Sequence, residues 1–547
     1  MSAWTLAVKF QLFNQVLKNW QNARLVCSTI ENFPGFVFFR NHSILKLGLL
    51  TMLSPDTIFW CCFIFGFISF LWELYLSYRQ YKKQRDTIER PDYLHDLIDE
   101  DSFHKARAYS LDKARFAFAH DIWSAFENTV ILLGGLIYLL WNFAQETLKS
   151  YGLEGEISQS MLFIFIASLI NYVISFPWKI YSTFVVEEKH GFNKQTFKFF
   201  VFDQLKKEAV SLLIGLPLSA AVIWIIQKGG DYFFLFLWLF LLIMTFFLMT
   251  IYPEFIAPLF DKYTPLREGD LKLKIEALAS KVHFPLKKLY VVEGSKRSAH
   301  SNAYMYGLWN NKRIVLYDTL IADYHPCPET VDQKRESSAS KESSSDDKES
   351  SNGDWEKPDL NNEENNAEKV EDIQEEEKLM ENEPEKGQEE KPKKKLGMSD
   401  DEVVAVLGHE LGHWKLNHTV FNLIVAELNL LLCMILFSYL YKLPVLYEAF
   451  GFTESQPILI GLFVIFSFVF APYNEVLNFA MTWWSRQCEF SADKFSAELG
   501  YAPLLTSGLI KLSKDNLSLP INDHLYSAWH HSHPPVPERI DALKKYK

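Results

Sequence analysis

Cysteine is scarce in this chain, whose 547 residues include only six. No two cysteines have the short spacing of a cysteine zinc site or of a disulfide framework. Several lie inside long apolar runs, where a thiol behaves as a small hydrophobic group. The sequence therefore excludes a disulfide-rich fold and gives no sign of a redox function. The six are Cys27, Cys61, Cys62, Cys327, Cys433 and Cys488.

Charged residues are nearly absent from several stretches that are long enough to cross a bilayer as helices, which takes about 20 apolar residues. The chain is also unusually aromatic for a soluble protein, with 15% aromatic residues and 45 phenylalanines. One stretch gives a weaker signal because Gly215, Pro217 and Ser219 interrupt it. The sequence predicts an α-helical polytopic membrane protein with about seven transmembrane helices. The predicted spans are residues 57–77, 122–143, 161–183, 209–227, 231–252, 419–441 and 458–484.

Lysine and arginine are concentrated in alternate loops, which predicts the orientation of the helices. The loops after the first and third spans, residues 78–115 and 189–207, are basic, whereas the intervening loops are not. The basic loops, residues 253–418 and the C-terminal part are therefore expected in the cytosol. The N-terminal arm is an exception, because it carries several basic residues but is predicted on the opposite side. It lacks a signal-peptide pattern, and we assign it no role.

An acidic tract divides the chain and carries most of its net charge of −12. It is rich in Ser, Glu, Asp, Asn and Lys and has no apolar period, which predicts a disordered insert. A regulatory or partner-binding role for it stays an open alternative. The predicted organisation is an N-terminal extension (1–55), spans one to five (56–252), a segment with a β-meander (253–326), the acidic insert (327–397), a zinc-motif helix (398–418), spans six and seven (419–484) and a C-terminal cytosolic part (485–547).

Three short β-rich runs lie between the fifth span and the acidic tract, at residues 289–292, 302–306 and 313–317. Gly307 and the pair Asn310-Asn311 mark a turn between the last two. The spacing predicts a small meander. Its edge strand could hold an extended peptide substrate through backbone pairing. A purely structural sheet fits this pattern equally well.

The chain carries a His-Glu-x-x-His motif, His409-Glu410-Leu411-Gly412-His413. Ser399 and Glu402 have the form of a capping box, and apolar residues at helical spacing follow, so the motif is predicted on a helix. Two histidines one helical turn apart can bind one zinc ion. Glu410 lies beside them and could take a proton from a water molecule that the zinc activates. The sequence therefore predicts a zinc hydrolase.

A catalytic zinc site needs a third protein ligand. A histidine six residues after His413 would indicate a metzincin, but that position is Thr419. The remaining usual choice is a glutamate on a later helix, and Glu489 directly follows the seventh span. Asp493, one turn further on, could accept a hydrogen bond from a ligand histidine and fix its tautomer. By itself, a Glu and Asp pair at this spacing more often marks a solvated helix face.

The Glu-x-x-x-Asp pattern after His-Glu-Leu-Gly-His, together with seven spans, resembles the type I CAAX prenyl protease family. The animal member of that family is also called the prelamin A endoprotease. The resemblance extends from about residue 55 to the C-terminus, apart from the acidic tract. Other similar segments are residues 187–193, 295–297, 301–304 and 532–535.

The resemblance implies a zinc metalloendopeptidase with one Zn²⁺ per chain that removes the last three residues from prenylated Cys-a-a-X proteins. Some members of the family cut a precursor such as prelamin A a second time. It also implies helices that form a barrel around a water-filled chamber, with a small β-containing zinc-protease domain. His533 is similar to a family histidine near the zinc, although His530 and His531 compete for that role. Asn302 and Arg539 are expected to bind substrate.

The family's location implies the endoplasmic reticulum membrane, with the nuclear inner membrane as a second site. The terminal sequence Lys544-Lys545-Tyr546-Lys547 has the form of a dilysine retrieval signal. Expected partners are prenylated proteins or peptides and membrane lipid, and no nucleic acid.

Two alternative functions stay open: a quality-control protease indifferent to prenyl groups, and a non-catalytic membrane scaffold. The intact histidine and glutamate set argues against the scaffold.

Overall fold

The structure, a computed structural model, describes residues 53–307, 310–322, 324 and 397–546. Most of the predicted N-terminal extension and nearly all of the predicted acidic insert lie outside these residues. The helices before the sheet are α1 (Pro55–Asp86), α2 (Glu100–Leu133), α3 (Leu136–Ser150), α4 (Glu156–Tyr181), α5 (Phe197–Lys228) and α6 (Phe233–Ile251). The sheet region contains β1 (Tyr263–Pro265), α7 (Asp270–Val282), β2 (Leu286–Val292), β3 (Ala303–Tyr306) and β4 (Lys312–Tyr317). The later helices are α8 (Asp400–Lys415), α9 (His418–Leu440), α10 (Pro444–Glu448), α11 (Ile458–Val464), α12 (Ala471–Ser496), α13 (Ala502–Asp515), α14 (His524–His530) and α15 (Val536–Leu543).

The apolar helices reproduce the predicted spans. Within the described ranges, five helices are long and apolar enough to cross a membrane, and two bent pairs raise the number to seven when each pair is counted as one span. The single spanning helices are α1, α4, α5, α6 and α9, and the bent pairs are α2 with α3 and α11 with α12. The predicted fold class, an α-helical polytopic membrane protein, is confirmed.

The two bends have identifiable causes in the sequence. Between α2 and α3 the axis turns by 62°, and Gly135 adopts the left-handed conformation there, with φ of 62°. Glycine reaches this conformation without the steric penalty of a side chain. Between α11 and α12 the axis turns by 57°, and Pro472 stands in the first turn of α12. Proline cannot continue a preceding helix, because it lacks an N–H and its ring clashes with the previous turn.

The fourth predicted span is continuous although its sequence signal was the weakest. Helix α5 runs from Phe197 to Lys228 with Pro217 inside it. In a bilayer a broken helix would leave backbone groups without water to bond, so the chain keeps the helix and tolerates one missing hydrogen bond. Gly215 and Pro217 therefore do not end the span.

The three predicted strands form, but the predicted meander is wrong. The sheet has the order β1-β2-β4-β3, in which β2 pairs with β4 in parallel and β3 pairs antiparallel with β4. The two apolar strands β2 and β4 occupy the centre of the sheet, where residues such as Val291 and Ile314 are fully buried. Strand β3 therefore lies at the edge, and its turn into β4 at Gly307 is the one the sequence predicted.

Helix α8 packs in the core beneath this sheet, together with α7 and α13. Its first turn is fixed by Glu402, whose carboxylate accepts a hydrogen bond from the Ser399 N–H at 2.8 Å, as the capping box predicted. Lys511 of α13 donates to the same carboxylate at 2.6 Å. Burial opposes ionisation of Glu402, but these hydrogen bonds outweigh it and lower its pKa to about 2. The helix carrying the metal motif is thus held at its start by a charged pair.

Candidate metal centre

Two glycines allow α8 to lie directly against α12. A side-chain carbon at Gly412 would meet the backbone of Ala492 at 3.1 Å, and one at Gly408 would meet the Ser496 hydroxyl at 2.9 Å. Ser496 also donates a hydrogen bond to the Ala405 carbonyl at 2.9 Å. Since neither glycine has a side chain, the two helix backbones approach closely enough for residues of both to share one site.

His409 and His413 of α8 converge with Glu489 of α12. The Nε2 atoms of the two histidines lie 3.2 Å apart, and Glu489 lies 3.4 Å from His409 Nε2 and 3.2 Å from His413 Nε2. Tetrahedral zinc has bonds of about 2.0–2.1 Å, which places two of its ligand atoms about 3.3 Å apart. The three side chains therefore have the spacing of ligands around one ion. Among the described residues this is the one group with such convergent ligand atoms.

The protonation chemistry of the site also suits a cation. The Glu489 carboxylate is buried among the imidazoles of His409 and His413 and the guanidinium of Arg539. Burial and the Arg539 charge oppose protonation of His409, but hydrogen bonds to Asp493 and Glu489 outweigh them and raise its pKa to about 9. An environment that draws positive charge onto a buried imidazole would equally stabilise a bound metal ion.

Asp493 and Arg539 contact the Nδ1 side of the His409 ring. Asp493 Oδ1 lies 2.8 Å from His409 Nδ1, so it accepts the Nδ1 proton and leaves Nε2 free to bind a metal. Arg539 donates two hydrogen bonds to Asp493, at 2.6 and 2.8 Å, and it is buried. The prediction that Arg539 binds substrate disagrees with this placement, since its guanidinium is occupied by the two carboxylates of the site.

His533 is the one residue of the histidine-rich C-terminal segment that reaches the centre. Its Nε2 lies 3.2 Å from Glu489 Oε1, and its side chain is 67% exposed. The two competing histidines are held elsewhere, His530 by Glu73 at 3.0 Å and His531 by the Ser527 hydroxyl at 3.1 Å. The structure thus favours His533 among the three.

The two remaining predicted residues are Glu410 and Asn302. Glu410 is half-buried and follows His409 on α8. Asn302 directly precedes the edge strand β3 and is exposed. Its carbonyl accepts a hydrogen bond from the Tyr317 N–H, and its side-chain oxygen accepts one from the Ala303 N–H.

His418, which was not predicted from the sequence, also lies beside the motif. Asn417 adopts a left-handed conformation, with φ of 56°, and turns the chain sharply between α8 and α9. This turn brings His418 back over α8, with its Nδ1 3.1 Å from His413 Nδ1. A histidine five residues after the motif was the available signal. Its contact with His413 depends on the turn, which the sequence does not specify clearly.

A His-Glu-x-x-His helix in a chain of membrane helices, with a buried glutamate of a second helix beside the two histidines, defines a membrane-embedded metallopeptidase. Comparison with known families agrees: residues 265–547 match peptidase family M48, and residues 77–262 match the CAAX prenyl protease N-terminal region with five membrane helices. The chain belongs to the CAAX prenyl protease family of M48 peptidases.

Its relatives are similar over almost their whole length. The CAAX prenyl protease 1 homolog of Mus musculus is 46% identical over 90% of this chain and 97% of its own. The Homo sapiens homolog is 45% identical over 91% and 98%. The crystal structure of S. mikatae Ste24p matches with a TM-score of 0.71 and 33% identity, over 90% of this chain and 99% of that one. The family that the sequence resembled is confirmed.

Proposed function

We propose that His409, His413 and Glu489 hold one zinc ion and that the protein removes the aaX tripeptide from prenylated CAAX proteins. The observation that carries this proposal is the spacing of 3.2–3.4 Å among the three ligand side chains. The substrate class follows from the names of the relatives, which are CAAX prenyl proteases. A second, upstream cleavage of a prelamin A-like precursor is part of the same proposal.

Each polar group around the metal centre then has a chemical task. A bound zinc ion would supply a Lewis acid that lowers the pKa of water and polarises the scissile carbonyl. Glu410 accepts the proton of the attacking water and passes it to the leaving amine. His533, exposed beside Glu489, donates a hydrogen bond to the oxyanion that develops on the carbonyl. Asp493, held by Arg539, keeps the His409 ring in its ligand tautomer.

The edge strand β3 is suited to hold the substrate backbone. The Tyr317 N–H donates a hydrogen bond to the Asn302 carbonyl, and hydrogen-bonded pairs alternate along an antiparallel ladder. The backbone N–H and C=O groups of Tyr304 and Tyr306 therefore point towards β4. The peptide groups of Ala303 and Met305 then face the open edge. A peptide added there would pair by its backbone and present alternate side chains to the enzyme. Asn302 would exchange its hydrogen bond to the Ala303 N–H for one to the substrate.

We further propose the endoplasmic reticulum membrane as the location, with the nuclear inner membrane as a second one. The distribution of Lys and Arg among the loops supports an active centre that faces the cytosol. Prenylated proteins are made in the cytosol, so this orientation gives them access to the centre.

The substrate proposal is tested with one peptide in two forms, farnesylated and unprenylated, and the purified protein in lipid. We expect release of the C-terminal tripeptide from the farnesylated form and one zinc ion per chain. Equal rates for both forms would favour a general quality-control protease. Absence of cleavage, with metal bound, would favour a scaffold.

His533→Ala is expected to lower kcat by roughly 10²-fold, because one oxyanion donor is lost. Zinc content and KM should change little, since His533 is not a metal ligand in this proposal. His531→Ala is the matched control, because that ring is bonded to Ser527. Loss of zinc from the His533 variant would contradict the assigned role.

His418→Phe is expected to lower the metal affinity by about 10–100-fold, as loss of an outer-shell partner does. Phenylalanine fills the space but cannot accept the His413 Nδ1 proton. The measurement is zinc retention against a graded chelator series. His418→Gln, which keeps an acceptor, should restore part of the affinity, and a Gln variant as weak as Phe would overturn the prediction.

A further inference from the structure

Helix α14 lies between the first and last membrane helices, and its contacts fix its direction. At its start, Asp523 accepts two hydrogen bonds from Arg79 of α1, at 2.9 and 3.0 Å. At its other end, Trp529 lies against Trp72, seven residues earlier on α1, with ring centroids 5.6 Å apart. Seven helical residues correspond to about 10 Å. Helix α14 therefore descends along α1 from the level of Arg79 to that of Trp72.

Trp529 links α1 to α12 through an aromatic group that we call the aromatic triad, Trp72, Phe479 and Trp529. Its ring lies 5.6 Å from Trp72 in an edge contact and 5.3 Å from Phe479 in a tilted one. The indole N–H donates to Glu73 at 2.8 Å, which fixes the ring and satisfies its polar atom. Trp72 and Phe479 are 36% and 43% exposed, so the triad leaves aromatic surface uncovered between the two helices.

The triad stands at a defined distance from the metal centre. Phe479 precedes Glu489 by ten residues on the same helix, which places it about 15 Å along the axis from the ligand. Trp529 precedes His533 by four residues of chain, and His533 contacts Glu489. An aromatic surface therefore extends from Trp529, four residues before His533, to Trp72 and Phe479, with the ion pair of Glu73 and His530 beside it.

The chemistry of the substrate requires an apolar surface in this region. In a CAAX protein the prenyl chain is a thioether on the cysteine that contributes the scissile carbonyl. The chain therefore leaves the substrate within one residue of the metal, and its extended length is of the same order as the separation of triad and ligand. We propose that the aromatic triad binds the prenyl chain of the substrate. This proposal rests on the prenyl-protease function proposed above.

Binding at the triad would explain how prenyl recognition is coupled to cleavage. The segment from Trp529 to His533 joins the surface to the oxyanion donor, and Arg486 of α12 holds it by donating to Ser527 and to the His531 carbonyl. A prenyl chain seated on the triad positions the cysteine carbonyl near His533. Aromatic rings suit this task because they present large rigid apolar faces at low conformational cost.

The test compares Trp72→Ala and Phe479→Ala with wild-type protein on a farnesylated peptide and its unprenylated counterpart. Each variant should lower kcat/KM for the farnesylated peptide by roughly tenfold, mainly through KM, from the loss of apolar contact area. Hydrolysis of the unprenylated peptide should be unchanged. Trp224→Ala is the matched control, since Trp224 is an exposed tryptophan of α5, on a different helix from the triad residues.

A second measurement identifies the site without relying on turnover. A peptide with a photoreactive diazirine in its farnesyl chain, bound to the inactive Glu410→Gln protein, should label the peptides that contain Trp72, Phe479 or Trp529. Labelling elsewhere, or equal losses on both substrates, would overturn the proposal. Wild-type protein that does not cleave the farnesylated peptide would refute the proposed function itself, which separates the two failures.

Discussion

Glu410→Gln is expected to reduce hydrolysis of a farnesylated peptide by about 10⁴-fold while one zinc ion stays bound. Glutamine has the size of glutamate but cannot accept the proton of the attacking water, so the contribution of the general base is lost. The metal should stay because the three proposed ligands, His409, His413 and Glu489, are unchanged in this variant. The measurements are single-turnover hydrolysis and metal content of the same sample.

The matched control for this variant is Asp401→Asn, which removes a carboxylate from the exposed first turn of the same helix. Asp401 forms an ion pair with Lys274 at 2.6 Å, remote from the motif. Its loss should leave hydrolysis unchanged. A Glu410→Gln protein that hydrolyses the peptide at a rate close to that of the wild type would show that another group accepts the proton.

Glu489→Ala is expected to cause the second large effect, loss of both zinc and activity. Glu489 is the proposed ligand from α12 and is 3% exposed, so water does not readily replace its carboxylate. Removing Glu489 also takes away a buried negative charge beside Arg539 and the two imidazoles. The positive charge of Arg539 would then repel a metal ion more strongly. The metal affinity should fall by more than the roughly 10–100-fold typical of an outer-shell partner.

Metal content after gel filtration and hydrolysis of a farnesylated peptide measure this effect. Glu498→Ala provides the control, because Glu498 is an exposed glutamate just beyond α12 that pairs with Lys494. Glu489→Asp keeps the charge but shortens the side chain, so we expect partial metal binding. Stoichiometric zinc in Glu489→Ala would show that the third ligand is a different residue.

Much of the candidate site was predictable from the sequence because its residues lie at fixed helical spacing. His409 and His413 stand one turn apart on any helix, and Glu489 and Asp493 repeat this relation next to the seventh span. The spacing did not indicate that Arg539 would be buried and would donate hydrogen bonds to Asp493. A buried guanidinium with two carboxylate partners and an exposed one that contacts substrate have the same sequence signature.

For the membrane spans too, the sequence predicted some features and the tertiary structure was needed for others. Length and apolar composition predicted seven, because the bilayer imposes a minimum length on each helix. Glycine and proline accompany the 62° and 57° bends, but Pro217 shows that a proline can also lie inside a continuous helix, so the residue type alone does not predict a bend. The meander prediction failed because strand order is decided by which strands can be covered on both faces.

The sequence by itself determined the membrane helices and the metal motif, since each depends on composition or on spacing along one element, and its resemblance to known proteins indicated the family. The tertiary structure decided the contact of His418 with His413, the selection of His533 over its neighbours and the meeting of Trp72, Phe479 and Trp529. These features join residues from separate elements. Such contacts arise only when close packing, as at Gly408 and Gly412, fixes the distance between elements.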